Sequence, residues 1–191
     1  MTGMKHLIFS LSLVAAPALA GTCPDAPDHT STLNRLIDAV QIAQNEEQAR
    51  LISNEMWSYW ADAPDDHAQQ LLDDGMVRRA SFDLDGAAAA FDALIAYCPD
   101  YAEGYNQRAF VNFIRQDYAA ALPDLERAVA LSPRHIAAIA GLALTLVGLE
   151  REPEAAPILR AALELNPWLV ERRMLPMLEE MEERAQQEQE L

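Results

Sequence analysis

Three evenly spaced prolines constrain the fold of this chain more than any other feature. Pro99, Pro133 and Pro167 are separated by 34 residues and again by 34. Counted back from each proline, residues of the same type recur in phase. The matched sets are Gly75, Ala109 and Ala143; Ala87, Ala121 and Ala155; Phe91, Leu125 and Leu159; and Leu94, Ala128 and Ala162. A period this regular indicates several copies of one small structural unit.

Each unit has the pattern of two amphipathic helices. In the middle unit, Ala121, Leu125 and Ala128 recur at the spacing of one helical face. The proline ends the second helix because it lacks a backbone N–H and its ring clashes with the preceding turn. One such hairpin cannot bury its apolar face alone, so we expect the hairpins to stack into an all-α solenoid.

A 34-residue period that runs small residue, alanine, large apolar residue, alanine and proline resembles the tetratricopeptide repeat. The resemblance covers three units, at 66–99, 100–133 and 134–167. Trp57 and Trp60 lie 34 residues before Phe91 and Leu94. We therefore expect a degenerate fourth hairpin over 32–65, with the two tryptophans sealing the core of a terminal cap.

The residues after Pro167 predict a C-terminal capping helix with an acidic tail over 168–191. Val170, Met174, Leu178 and other apolar residues form a stripe, which Pro176 interrupts. The cap keeps the last repeat soluble. The alternative is that this helix docks into the groove of the protein itself or onto a partner.

The resemblance implies that the first helices of successive units line a concave groove. The predicted groove residues are Leu72, Met76, Arg79, Glu103, Asn106, Phe110, Phe113, Ala140 and Leu144. Chaperone-binding members of the family use Lys and Asn there to clamp a terminal carboxylate. Lys5 is the only lysine in this chain, which excludes that clamp. An apolar groove suits an amphipathic helix or an extended apolar peptide, unless these residues simply pack against a neighbouring helix.

Residues 1–20 have the pattern of an export signal. Lys5 precedes an apolar run over Leu7–Leu19, and Ala18-Leu19-Ala20 offers the small-x-small pattern before a cleavage site. The run is too short for a membrane span. Lipid attachment at Cys23 is less favoured, because Ala20-Gly21-Thr22 does not match the usual lipidation motif. We expect a soluble periplasmic protein of a Gram-negative bacterium, with an extended segment over 21–31.

The chain has two cysteines, Cys23 and Cys98. In an oxidising compartment an even pair indicates a disulfide. Closing a loop of about 75 residues would stabilise the fold by about 4 kcal/mol in the chain-entropy model. The alternative is two unrelated thiols.

Charge and motif content argue against nucleic-acid binding and catalysis. The formal net charge of −16 disfavours a phosphate backbone as partner. The histidines lie in separate segments without metal-binding or general-base spacing. Asp83, Asp85 and Asp92 partly imitate a calcium loop, although the turn between two helices accounts for the same residues. We expect no metal, no cofactor, no enzymatic activity and a monomer.

Two functions remain open from the sequence. The first is a non-enzymatic periplasmic scaffold or adaptor that binds a peptide or helix of an envelope protein in its groove. The second is an accessory of envelope assembly or secretion, such as a pilus, secretion or cytochrome-biogenesis helper, that acts through its convex acidic face.

Overall fold

The computed structural model describes residues 22–190, and within that range the chain forms nine α-helices and one 3-10 helix without a strand. The predicted export signal at 1–20 lies outside the described residues. The helices are α1 (Thr30–Gln41), α2 (Glu46–Trp60), α3 (Asp66–Ala80), α4 (Leu84–Tyr97), α5 (Ala102–Ile114), α6 (Tyr118–Leu131), α7 (Ile136–Gly148), α8 (Glu152–Leu165), the 3-10 helix (Val170–Arg173) and α9 (Leu175–Gln189).

Side-chain caps begin several of the helices. Asp65, Asp83 and Asp117 each accept a hydrogen bond from the backbone N–H three residues later, at 2.8, 3.0 and 3.1 Å. His135 does the same for α7 through Nδ1, which lies 3.3 Å from the Ala138 nitrogen. Each cap satisfies an amide that the first helical turn leaves without a partner.

The turn inside each repeat has one conformation. Phe82, Gln116 and Glu150, which are 34 residues apart, all have positive φ, at 62°, 60° and 58°. In each turn the next residue donates its N–H to a carbonyl five residues earlier, as Asp83 does to Arg78 at 2.9 Å. This is the left-handed closure of a helix C-terminus that glycine usually provides. The three units therefore repeat the same backbone conformation as well as the same residue types.

The phased residues form the core. The small, alanine and large apolar positions of all three units are buried, from 0% exposed at Ala87 and Phe91 to 3% at Leu125. In the first unit the fit leaves no room for a side chain, since a Cβ on Gly75 would lie 2.4 Å from a ring carbon of Phe91. Small residues at the helix crossing thus bring the backbones together, and the predicted all-α solenoid is confirmed.

The N-terminal hairpin, α1 and α2, packs differently from the predicted continuation of the array. Its apolar core, which includes Ile37, Met56 and Trp60, is shared with Ile136 and with Leu165 and its neighbours at the third repeat. Among the described residues of 66–99, none belongs to this core. In the hairpin, Gln41 occupies the position that a small crossing residue has in the other units. The hairpin lies against the third repeat.

Polar contacts fix the hairpin in that position. Gln41 donates to the Glu164 carbonyl oxygen at 2.7 Å, and Asn166 donates to the Ser53 hydroxyl at 3.2 Å. Trp60 stacks on His135 with ring centroids 4.3 Å apart. Both tryptophans pack in this apolar core, with Trp60 buried in it and Trp57 against it, and the core lies against the third repeat.

The C-terminal segment caps α8, with a different division from the predicted one. The 3-10 helix over Val170–Arg173 comes first, and α9 starts at Leu175. Pro176 lies in the first turn of α9, where its missing N–H costs nothing, so it does not interrupt the helix. Leu178 is fully buried in the core beneath α8, and Arg160 of α8 pairs with Glu182 at 2.9 Å.

A disulfide joins Cys23 to Cys98, with 5.2 Å between their Cα atoms, which confirms the predicted pairing. It ties the extended segment before α1 to the end of α4. None of the described helices has the length and apolar character that a bilayer crossing requires.

Candidate functional site

A cavity of about 310 Å³ lies among the first helices of the three repeats, α3, α5 and α7. Two further walls come from outside the repeats: Trp57 of α2, and Leu169 and Glu171 after α8. The hairpin and the post-α8 segment thus narrow the concave groove into a pocket. From α3, α5 and α7 the lining residues are Arg79, Asn106, Gln107, Ala109, Phe110, Phe113, Ala137, Ala140, Gly141, Leu144 and Thr145.

Six of the nine predicted groove residues line this cavity: Arg79, Asn106, Phe110, Phe113, Ala140 and Leu144. Phe110 is 47% exposed, so part of its ring faces the cavity uncovered. The walls are mainly apolar, as expected. This part of the sequence-based assignment forms one continuous surface.

The other three predicted residues lie outside the cavity lining. Leu72 is fully buried in the core of the first repeat with Phe91 and Leu94. Met76 packs against the same core. Glu103 is 1% exposed and binds other side chains instead of solvent or a ligand. In α3 the core of the first repeat therefore includes two residues that the repeat phase placed in the groove.

Three buried polar atoms on the cavity residues have no hydrogen-bond partner. They are Arg79 Nη1, Gln107 Oε1 and Thr145 Oγ1. Gln107 and Thr145 are 1% and 0% exposed, so their polar atoms are shielded from bulk water. A buried polar group without a partner destabilises the fold by about 1–3 kcal/mol. Both donors and acceptors are therefore available to a bound group.

Arg79 differs from the arginine beside it. Arg78 pairs with Asp74 at 2.8 Å and with Asp83 at 2.9 Å. No ion pair within the described residues joins Arg79 to a carboxylate; its guanidinium lies over the Phe110 ring, 4.7 Å from the centroid. Burial lowers the pKa of Arg79, and the negative charge of Glu103 opposes that effect in part. The cavity therefore contains a partly desolvated cation that forms no direct ion pair among the described residues, although the charge of Glu103 acts on it.

A buried acid–histidine pair supports one side of the cavity. Glu103 and His135 are each 1% exposed, and His135 Nε2 lies 2.7 Å from Glu103 Oε2. Because His135 Nδ1 accepts the Ala138 amide, Nε2 carries the proton and donates it to the carboxylate. Asn106 and Gln107 also donate to Glu103. The pair links α5 to the start of α7 and fixes two cavity residues.

Tyr101 extends this polar network toward the hairpin. Its hydroxyl donates to the Trp60 carbonyl oxygen at 2.8 Å. Burial raises the pKa of Tyr101, and the charge of Glu103 adds to the effect, so the hydroxyl keeps its proton and remains a donor. The first repeat boundary is thus hydrogen-bonded to the hairpin that narrows the groove.

The acidic residues of the α3–α4 turn and of α4 that imitate a calcium loop contact groups within the chain. Asp83 caps α4, Asp85 pairs with Arg115, and Asp92 pairs with Arg108. Across residues 22–190, no group of three or more histidine, cysteine or acidic side chains is arranged to hold a metal ion.

Sequence reasoning missed five lining residues that matter for the chemistry of the cavity. Gln107 and Thr145 directly follow the predicted residues Asn106 and Leu144, so a wider helical face would have included them. Trp57, Leu169 and Glu171 lie there because the hairpin packs on the third repeat. No signal in the repeat phase points to that contact.

The fold and this groove define a class: a helical-repeat solenoid whose concave face offers a binding surface. A family model described as tetratricopeptide repeat matches residues 113–168. A TPR repeat-containing protein of Rhizobium etli is 30% identical over 152 residues, which cover 73% of this chain and 74% of that protein. The chain belongs to the tetratricopeptide repeat family, whose members are in general scaffolds for protein–protein interaction.

Other relatives match more locally or in fold alone. Tetratricopeptide repeat protein 36 of Mus musculus is 40% identical over 67 residues, 35% of this chain and 36% of that protein. The first TPR domain of Spaghetti (RPAP3), bound to an HSP90 peptide, superposes with a TM-score of 0.58 at 22% identity, covering 60% of this chain and 92% of that domain. A MamA RS-1 double mutant gives 0.56 at 18% identity, with 83% and 88% covered.

Proposed function

We propose that this protein is a non-enzymatic periplasmic adaptor that binds an apolar segment of an envelope protein in the cavity among α3, α5 and α7. The observation that carries the proposal is the exposed ring of Phe110 beside Leu144 and Phe113, on the concave face that the solenoid forms. Such a surface is stabilised when an apolar side chain of a partner covers it.

The form of the cavity limits what binds. Trp57 and Leu169 stand in the space that an open groove would leave for a long helix. A short segment that inserts one or two large side chains fits the volume of about 310 Å³ better, which is near the lower end of ligand pockets.

Export to the periplasm is part of the proposal. It is supported by the signal-like pattern of residues 1–20 and by the disulfide between Cys23 and Cys98. Disulfides persist in oxidising compartments and are rare in the bacterial cytosol.

The test compares two exposed phenylalanines. Crosslinked complexes captured from cell-envelope extract with the chain from residue 21 onward are compared for Phe110→Glu and Phe82→Glu. Phe82 is 78% exposed and lies in the α3–α4 turn, outside the cavity, so it is a matched control. We expect Phe110→Glu to lose the captured partner and Phe82→Glu to retain it.

The opposite outcome has a defined meaning. Equal capture by a folded Phe110→Glu variant would refute binding in this cavity. It would favour the alternative in which the protein assists envelope assembly or secretion through its convex acidic face. Circular dichroism and melting temperature establish that both variants are folded.

A further inference from the structure

We propose that the outer face of α3 binds an amphipathic helix of a partner protein that carries basic side chains beside its apolar stripe. The outer face of α3 consists of Asp66, Gln70, Asp73 and Val77, which recur at the spacing of one helical face. None of the four lines the cavity, so this inference goes beyond the proposed function and does not depend on it. The evidence comes from the repeat junctions inside the chain, from the exposure of the face and from its charge.

The junction between the first and second repeats shows what this face of a first helix does. In α5 the residue equivalent to Val77 is Val111, which is fully buried in the core cluster of the first repeat. At the position equivalent to Gln70, a Cβ on Gly104 would lie 3.2 Å from a side-chain carbon of Ile95 in α4. The first helix of the second unit therefore packs with this face on the second helix of the unit before it.

The junction between the second and third repeats has the same arrangement. In α7 the equivalents of Gln70 and Val77 are Ala138 and Thr145, and both are 0% exposed. Ala138 belongs to the core cluster that includes Leu125 of α6. Both first helices that follow another repeat thus bury these positions.

In α3 the same face is open to solvent. Val77 is 68% exposed, and the other three residues of the face are exposed as well. The hairpin of α1 and α2, which precedes α3 in the chain, has its core against the third repeat, and none of the described residues of 66–99 belongs to that core. A helix that covered Val77 would remove apolar surface from water, which favours association.

The charge of the face selects a basic partner. Residues 66–99 contain six aspartates and two arginines, and Asp66 and Asp73 lie on the face itself. Lysines or arginines beside the apolar stripe of a partner helix are attracted to these carboxylates, whereas acidic side chains are repelled. The repulsion also applies to α2, which carries Glu46, Glu47 and Glu55.

Side-chain size favours long basic residues on the partner. Gln70 occupies the position of Gly104 in α5 and of Ala138 in α7, so a helix on α3 lies farther away than α4 lies from α5. The methylene stems of lysine and arginine cover apolar surface while the charged ends reach the carboxylates. An alanine-rich helix such as α4 does not span that distance.

A second copy of the chain does not have the required charge. The helix α9, which caps α8 at the other end of the array, exposes Glu180 and Glu183. Two α3 helices packed face to face would oppose Asp66 and Asp73 with their own copies. Both arrangements place like charges together, which disfavours association.

The test titrates designed helical peptides, followed by fluorescence anisotropy, into the oxidised chain from residue 21 onward. The first probe is an alanine-based peptide of about 18 residues, long enough to form a helix in isolation, with leucines at i, i+4 and i+7 spacing and lysines on both sides of them. Glutamates replace the lysines in the second probe. Glutamines replace the leucines in the third.

We expect the first probe to bind about 10-fold more tightly than either of the others. Val77→Gln should weaken its binding about 10-fold, because the apolar contact is lost, and Asp73→Asn should weaken it about 2- to 5-fold, the range of a surface ion pair. The matched controls are Leu51→Gln, at a 57% exposed position of α2, and Asp38→Asn, at an exposed position of α1. Both controls should bind the first probe as the unmodified protein does.

Several outcomes would overturn the inference. Equal effects of Val77→Gln and Leu51→Gln would refute docking on α3. Equal binding of the second probe would refute the basic partner, and equal binding of the third would show only diffuse attraction to an acidic protein. A dimer in analytical ultracentrifugation that Val77→Gln abolishes would assign the face to a second copy.

One further variant separates this inference from the proposed function. Phe110→Glu changes the cavity and leaves the outer face of α3 intact, so the first probe should still bind. Loss of the probe with Phe110→Glu would place the peptide in the cavity and overturn the inference. Binding that survives Phe110→Glu supports the inference, whether or not that variant still captures the envelope partner.

Discussion

Replacing Glu103 by glutamine tests whether the buried polar pair holds the second repeat to the third. The carboxylate accepts hydrogen bonds from Asn106, Gln107 and His135, and both Glu103 and His135 are 1% exposed. A glutamine of the same shape places an NH2 group where the carboxylate accepted. At least one of the three donors then faces another donor in a site that water does not reach.

The magnitude follows from the burial of the pair. Breaking a buried, hydrogen-bonded pair by changing one partner costs about 3–5 kcal/mol. For a chain of this length each kcal/mol lowers the melting temperature by about 2–4 °C. The expected decrease for Glu103→Gln is therefore on the order of 10 °C, measured by thermal denaturation followed by circular dichroism.

The matched control is Glu154→Gln. Glu154 pairs with Arg151 at 2.6 Å, but its side chain is 57% exposed, and surface ion pairs contribute little. The same chemical change there should leave the melting temperature nearly unaltered. If Glu103→Gln lowered it no more than the control does, the buried pair would not stabilise the α5–α7 junction.

Two further predictions concern the repeat core and the disulfide. Gly75→Ala should lower the free energy of unfolding by about 1–2 kcal/mol, because overpacking against Phe91 outweighs the helix preference of alanine. Adding Phe91→Leu should restore the fit, since alanine opposite leucine already occurs at Ala109 and Leu125. If urea denaturation showed that Gly75→Ala alone is more stable than the unmodified protein, the close approach of Gly75 to Phe91 would be refuted. Reduction of the Cys23–Cys98 disulfide should lower the melting temperature by about 10 °C, from about 4 kcal/mol of loop entropy. A Cys23→Ala/Cys98→Ala variant should be insensitive to reductant, and an equal melting temperature of the reduced and oxidised chain would contradict the assigned role.

The repeat core was predictable because small and large residues recur at matching positions of each unit. Gly75 and Phe91 recur in kind at the next two units, and a helix crossing requires the pairing of small with large at each copy. The disulfide was equally predictable, since the chain has one pair of cysteines. By contrast, the left-handed backbone conformation of Phe82 was not predictable, because the turn has no glycine at that position.

The position of the N-terminal hairpin was not predictable from the same period. Trp57 and Trp60 keep the phase of the later repeats, which indicated a fourth unit stacked in series. Their packing instead depends on a long-range match with His135 and Leu169. Such a contact leaves no periodic trace in the sequence, and the closed form of the cavity follows from it.

The central claim is that a partner polypeptide enters the cavity among α3, α5 and α7. Photo-crosslinking from a benzoylphenylalanine placed at Leu144, a half-buried cavity residue, tests it most directly. The same crosslinker at the exposed Phe82 reports on the surface outside the cavity. We predict a crosslinked polypeptide at position 144 that disappears when Phe110→Glu is added. Crosslinks from position 82 alone, or crosslinks at 144 that persist with Phe110→Glu, would contradict the claim.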